Sequence, residues 1–105
     1  MQRDKKRRLE EDGWRVGDAA EFLELTPEEA AFIELKLALA VHLRELRAQR
    51  GWTQAYVAGR LGSSQSRVAK MEAADRSVSL DLLVRSLLAL GASRVEVGRV
   101  IARAA

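Results

Sequence analysis

Few side chains in this 105-residue sequence are equipped to carry out a reaction, and most can be set aside by type and number. There is no cysteine, which removes thiol nucleophiles, disulfide frameworks, thiolate zinc sites and iron–sulfur clusters together and suits a reducing compartment. The single histidine, His42, falls between Val41 and Leu43 in a helical pattern, with no second histidine to complete a triad or a zinc site, so it reads as a surface or packing residue. The acidic residues fall on a solvated face and form no paired-carboxylate pocket, and no glycine-rich phosphate loop is evident. What remains is a polar, basic run between Arg47 and Glu72. Within it Thr53, Gln54, Arg60, Ser64, Gln65, Ser66, Arg67 and Lys70 supply hydroxyls, amides and cations. Such groups recognise rather than transform: they pair with donor and acceptor edges and with anionic oxygens. No enzyme, cofactor or metal is expected.

The elements that must hold these groups are all helical. Thr26-Pro27-Glu28-Glu29 places a hydroxyl at an N-cap, proline at the first helical position and glutamate at the third, a capping box with a proline start. The helix runs without a breaker to Arg50, where Gly51 stops it, and Ile33, Leu37, Leu39, Ala40, Leu43 and Leu46 form its apolar stripe. Thr53 caps a second helix over 54–61 that turns Val57, Ala58 and Leu61 inward; Gly62 then turns the chain. Ser63 or Ser64 caps a third helix to Glu72 that buries Val68 and Met71 and leaves Gln65, Ser66, Arg67 and Lys70 to solvent. Residues 73–78 form a connection without a period. Ser79 caps a fourth helix with Leu80, Leu83, Val84, Leu87 and Leu90 at helical spacing, ended by Gly91. Ser93-Arg94-Val95-Glu96 is a second capping box, opening a fifth helix with Val97, Val100 and Ile101 along one side. Upstream, Gly17-Asp18 caps one or two turns through Leu25. The expected fold is an all-α five-helix bundle with an N-terminal helical extension. It comprises a basic arm and short extension over 1–25, and one domain with a long first helix over 26–105.

The net charge of +3 conceals a strong asymmetry. Residues 1–8 carry +4, residues 9–37 carry nine acidic against two basic side chains, and residues 38–105 carry eleven basic against five acidic. A basic body suits a phosphate-bearing partner, and an acidic front suits a different, basic one. The basic start runs into Leu9-Glu10-Glu11-Asp12 and not into an apolar stretch, so it is no secretory signal. No apolar run reaches the roughly twenty residues that span a bilayer. No membrane association is expected, and the expected location is cytoplasmic.

From Arg47 through Gly51-Trp52-Thr53-Gln54, Ala58, Gly62 and Ser64-Gln65-Ser66-Arg67 to Glu72, the sequence resembles the phage-repressor-like (Cro/XRE) helix-turn-helix family. The likeness covers about 39–90, half of the chain. It implies duplex DNA as a partner, with the third helix in the major groove and Gln65 and Ser66 meeting base edges at its start. A glutamine there bonds adenine through N6 and N7, and Lys70, one turn on, reaches a guanine or a phosphate. Arg67 then reaches the backbone or flanking bases, and Arg60 the backbone. Gln54 bonds a phosphate and steadies Gln65, and Thr53 and Ser64 add phosphate bonds to their capping roles. Arg47 and Glu72 match a pair that forms an internal salt bridge, and Trp52 a position of core packing. Such proteins commonly dimerise on a palindromic operator, reading half-sites about 34 Å apart. The dimer face is either the fifth helix or the long first one.

The front segment, from Gly13-Trp14 through Glu21-Phe22-Leu23-Glu24-Leu25 to the glutamate-rich helix start, is similar to HigA-like antitoxins. That likeness implies a repressor of its own operon that also neutralises a basic ribonuclease toxin. The alternatives are a stand-alone repressor, whose front serves dimerisation or stability, and a protein-only interaction module.

Overall fold

The computed structural model describes residues 24–104. The basic arm, Trp14 and residues 17–23 of the turns expected through Leu25 lie outside the described residues; Glu24 and Leu25 are described and are not helical. Five α-helices follow one another: α1 (Pro27–Gln49), α2 (Gln54–Leu61), α3 (Gln65–Glu72), α4 (Leu80–Ala89) and α5 (Arg94–Arg103). Among the described residues there is no strand, and no helix is long and apolar enough to cross a membrane.

Each helix begins where a side-chain oxygen can satisfy an amide that has no carbonyl partner one turn earlier. At α1 the box is reciprocal: Thr26 Oγ1 accepts from the Glu29 amide at 3.1 Å, and Glu29 Oε1 accepts from the Thr26 amide at 2.8 Å. Thr53, Ser64, Ser79 and Ser93 cap the other four through the amides of Tyr56, Arg67, Leu82 and Glu96. Ser64, not Ser63, is thus the cap of α3. The second expected capping box is only half formed. Ser93 accepts from the Glu96 amide at 3.0 Å, but the Glu96 carboxylate leaves its own helix and meets His42 Nε2 on α1 at 2.6 Å. An imidazole across the bundle takes that carboxylate in place of the Ser93 amide.

The core lies within Leu35–Ala105, one of the two units into which the chain divides. Leu39 and Leu43 of α1 meet Val57 of α2, Val68 and Met71 of α3, Leu83 and Leu87 of α4, and Val97 and Val100 of α5, all essentially out of water. Each such side chain contributes about 1.5–3 kcal/mol of transfer free energy. Ile101, expected on the same side as Val97 and Val100, is more than one-third exposed. Ser86, the one buried polar residue among those described, points its hydroxyl at the Met71 sulfur, 3.7 Å away.

Two turns fix the placement of α3. Gly62 closes α2 in the left-handed region (φ 65°, ψ 38°), and the Ser63 amide returns to the Ala58 carbonyl at 2.8 Å. At the other end Ala74 takes φ 54°, and the Asp75 amide reaches back to the Lys70 carbonyl at 3.0 Å. This is the closing bond of a Schellman ending, built on alanine where glycine is the usual choice. Asp75 Oδ1 then accepts from the amide and hydroxyl of Ser77 at 2.9 and 2.7 Å. Those two bonds hold its carboxyl below the usual range and give the connection a defined shape.

Candidate functional site

The site is organised around one carboxylate. Glu72, the last residue of α3, has a side chain only 6% exposed. Its Oε2 accepts from Arg47 Nε at 2.6 Å and its Oε1 from Arg47 Nη2 at 3.1 Å, a two-pronged pair that joins the end of α1 to the end of α3. Arg47 Nη1 donates onward to the Trp52 carbonyl at 3.0 Å. The bond to Glu72 raises the already high Arg47 pKa, so the guanidinium stays charged. Gln54 completes the set, its Nε2 donating to Glu72 Oε1 at 3.1 Å. One buried anion therefore gathers α1, the turn after it, the first turn of α2 and the last turn of α3. The family resemblance marks Arg47 and Glu72 as partners but not Gln54 as their third member, because a distance between two helix ends is not written in spacing.

The hydrogen bond to Glu72 gives Gln54 a definite orientation. One N–H of its amide is committed inward, while the second N–H and Oε1 have no partner among the described residues. Gln65, Ser66, Arg67 and Lys70 are all exposed on α3, while Val68 and Met71 on its opposite face are fully buried. The helix is thus anchored by two apolar side chains and offers an amide, a hydroxyl and two cations outward. Ser64 accepts from the Arg67 amide at 3.2 Å and lies 3.2 Å from the Ser66 hydroxyl, so the two hydroxyls that open α3 are already in mutual contact. Thr53, at the corresponding place on α2, accepts from Tyr56 at 3.0 Å and is exposed.

Trp52 does more than pack. It lies partly buried against the core, its ring tilted at 44° to that of Tyr56 with centroids 5.3 Å apart. Two guanidinium groups lie over the same indole, that of Arg50 at 5.2 Å and that of Arg60 at 5.0 Å. Arg60 also lies 6.0 Å from the Tyr56 ring. Exposed contacts of this kind are worth about 0.5–1 kcal/mol each. Tyr56 and Arg60 are one turn apart on α2, a spacing visible in sequence; the convergence of Arg50 on the same ring is not.

From Arg50 to Met71 the chain carries Arg50, Arg60, Arg67 and Lys70 and no carboxylate, and Glu72 is matched by Arg47. His42 stands apart from this surface. It links α1 to α5 through Glu96, whose carboxyl it holds below the ordinary value. Among the described residues no group of three or more histidine or acidic side chains is placed to hold a metal ion.

Residues 38–100 match a family model described as a helix-turn-helix domain, and since that span is more than half of the sequence, the chain belongs to this family. Neither the curated proteins nor the solved structures give a match.

Proposed function

Proceeding from that membership, we propose that this protein is a sequence-specific regulator of transcription, a repressor that reads duplex DNA with α3. The observation that carries the reading is the division of α3 into a face sealed by Val68 and Met71 and a face that leaves Gln65, Ser66, Arg67 and Lys70 in solvent. In this reading Gln65 and Ser66 meet base edges, and Lys70 reaches a base or a phosphate further along the same face. Arg60, Arg67, Thr53 and Ser64 contact the backbone. Gln54, already oriented by Glu72, bonds a phosphate through its second N–H. One α3 offers few base contacts, so the working species is a homodimer on a palindromic operator. Nothing in this arrangement requires catalysis or a cofactor.

The test is a selection of target sequence from random duplexes, followed by titrations at several salt concentrations. Affinity falls steeply with salt if phosphates are contacted. Gln65→Ala lowers the preference for the selected site over random duplex by about 1–3 kcal/mol. Arg67→Ala weakens both more evenly. Salt-independent binding, or failure to enrich any sequence, refutes the proposal.

A second role is favoured by the start of α1. Phe32, about half exposed, lines a shallow apolar groove with Leu25 and Ile33, edged by Glu28 and Glu29. An apolar floor with a carboxylate rim suits a basic protein surface. In this reading the protein is the antitoxin of a toxin–antitoxin pair and binds a small basic ribonuclease there. Co-expression with the product of a short adjacent reading frame, followed by co-purification, tests it. If Phe32→Asp leaves a recovered complex intact, the groove is not the contact; if no such partner exists, the protein is a stand-alone repressor.

A further inference from the structure

The long first helix carries apolar side chains on more sides than the core covers. Its buried residues are Leu39, Ala40, Leu43 and Leu46. At about 100° of rotation per residue, the opposite side presents Glu34, Leu37, Val41, Arg44, Glu45 and Ala48. Val41 is 50% exposed, Arg44, Glu45 and Ala48 are exposed, and Leu37 is only partly buried. We infer that two copies of this chain pair along that outward side of α1, antiparallel about a two-fold axis at Val41, with Arg44 of each copy reaching Glu34 of the other. This rests on the homodimer reading and selects its face, which the sequence leaves open between α1 and α5.

The outward side of α1 is complementary to itself. Across a two-fold axis each residue meets its counterpart at the same distance from the axis on the other copy. With the axis at Val41, Arg44 lies opposite Ala38, and Glu34 is one turn beyond that alanine. The small side chain lets the guanidinium stem cross to the carboxylate, and the symmetry repeats the pair on the other flank. Ala48 falls opposite Glu34 and leaves the same space open. None of the ion pairs among the described residues uses Glu34 or Arg44. The apolar centre, Leu37 and Val41, is thus bordered by one acid and one base that exchange partners between copies.

α5 lacks this property. Val95 is its most exposed apolar residue, at 67%, but Arg94, Arg99 and Arg103 surround it on exposed positions. The one carboxylate of α5, Glu96, is taken by His42. Two such helices face to face would bring three cations against three, and like charges across an interface oppose association.

The extent of the contact sets its strength. A single crossing of two helices about 8–10 Å apart, with two large apolar residues from each, falls among the small interfaces of under about 1,200 Å² in total, which are weak or transient. The free dimer should therefore dissociate on the order of micromolar concentrations. Two half-sites on one duplex would hold the copies at high effective concentration and complete the pairing there.

The experiment is sedimentation equilibrium of the full chain without DNA, from about 1 to 300 µM, with far-ultraviolet circular dichroism confirming that each variant is folded. Val41→Glu sets two carboxylates together at the axis and should raise the dimer dissociation constant at least about tenfold. Glu34→Arg and Arg44→Glu should each raise it about threefold to tenfold, whereas Glu34→Arg/Arg44→Glu restores the pair with its signs exchanged and should return to within about twofold of the parent. Val95→Glu should leave it unchanged. The chain has no cysteine, so Val41→Cys places one thiol at the axis; diamide oxidation should link two copies covalently there and should not do so with Val95→Cys. That cross-link decides the matter should Val41→Glu fail to fold. If the free parent is monomeric throughout, the same variants are compared on the selected duplex, where Val41→Glu should abolish cooperative binding of the second copy. A dimer that is indifferent to Val41→Glu, that is broken by Val95→Glu, or that the double exchange does not rescue refutes this face and leaves the homodimer reading standing. A parent that binds its selected duplex as a single copy overturns the homodimer reading itself.

Discussion

Substituting Arg47 and substituting Glu72 should not cost the same, although each breaks the same ion pair. With Arg47→Met, the Glu72 carboxylate remains in a site where its side chain is 6% exposed, with Gln54 Nε2 as its one remaining donor among the described partners. With Glu72→Met, the stranded guanidinium is 21% exposed, retains the Trp52 carbonyl at 3.0 Å and can turn its other donors to water. Breaking a fully buried pair costs about 3–5 kcal/mol. We therefore expect about 3 kcal/mol for Arg47→Met and, discounted for solvent access, about 2 kcal/mol for Glu72→Met. In a domain of this size those losses lower Tm by about 15 and 10 °C. The double variant replaces two charges with apolar side chains of similar length and should recover at least half of the combined loss. Urea unfolding followed by circular dichroism, with the slope m unchanged, supplies the free energies. An equal or larger cost for Glu72→Met, or a double variant equal to the sum of its parts, would show that burial of the carboxylate does not govern this junction.

Further outcomes follow from the turns and from the second cross-bundle pair. Gly62→Ala meets no atom within 4 Å, so any loss reports backbone strain at φ 65° alone; about 1 kcal/mol is expected by urea unfolding. Leu43→Ala, at the centre of the core, should cost about 2–5 kcal/mol in the same assay. Glu96 has its carboxyl depressed by the His42 hydrogen bond. A depressed folded-state value gives stability that is full above the unfolded value near 4.5 and is lost as pH falls through the folded one. Replacing His42 with alanine should therefore flatten the acid limb of a stability–pH curve below about pH 4.5. Unchanged steepness would remove the pair from the acid response.

Helix existence and capping were legible because both are local. A hydroxyl followed three residues later by its amide partner, and a glycine after the last apolar position, locate ends to within one residue, as at Thr53, Ser64 and Gly62. The core was legible from the spacing of Leu83 and Leu87 or of Val68 and Met71. Choices between competing partners were not. Glu96 satisfies the pattern of a capping box, yet a histidine 54 positions earlier takes its carboxylate; nothing local encodes that competition. Ala74 lies in a left-handed turn without the glycine that announces one, because Asp75, Ser77 and the Lys70 carbonyl fix the backbone around it. The family resemblance makes Trp52 a core position, whereas its contacts with the Arg50 and Arg60 guanidinium groups depend on the fold and are not written in spacing.

The stretch from Arg50 to Met71 carries four cations and no carboxylate, and Glu72, which follows it, is paired with Arg47; this excess of charge bears on motion as well as on fit. An excess of positive charge projects a potential beyond contact range, so a polyanion is drawn in before any groove is reached. On the proposed reading, arrival should be fast and blunted by salt, and residence should be set by which bases lie beneath Gln65. If those cations hold every phosphate alike, they also leave the protein free to slip along a duplex between trials, so the same surface that speeds arrival would let it search.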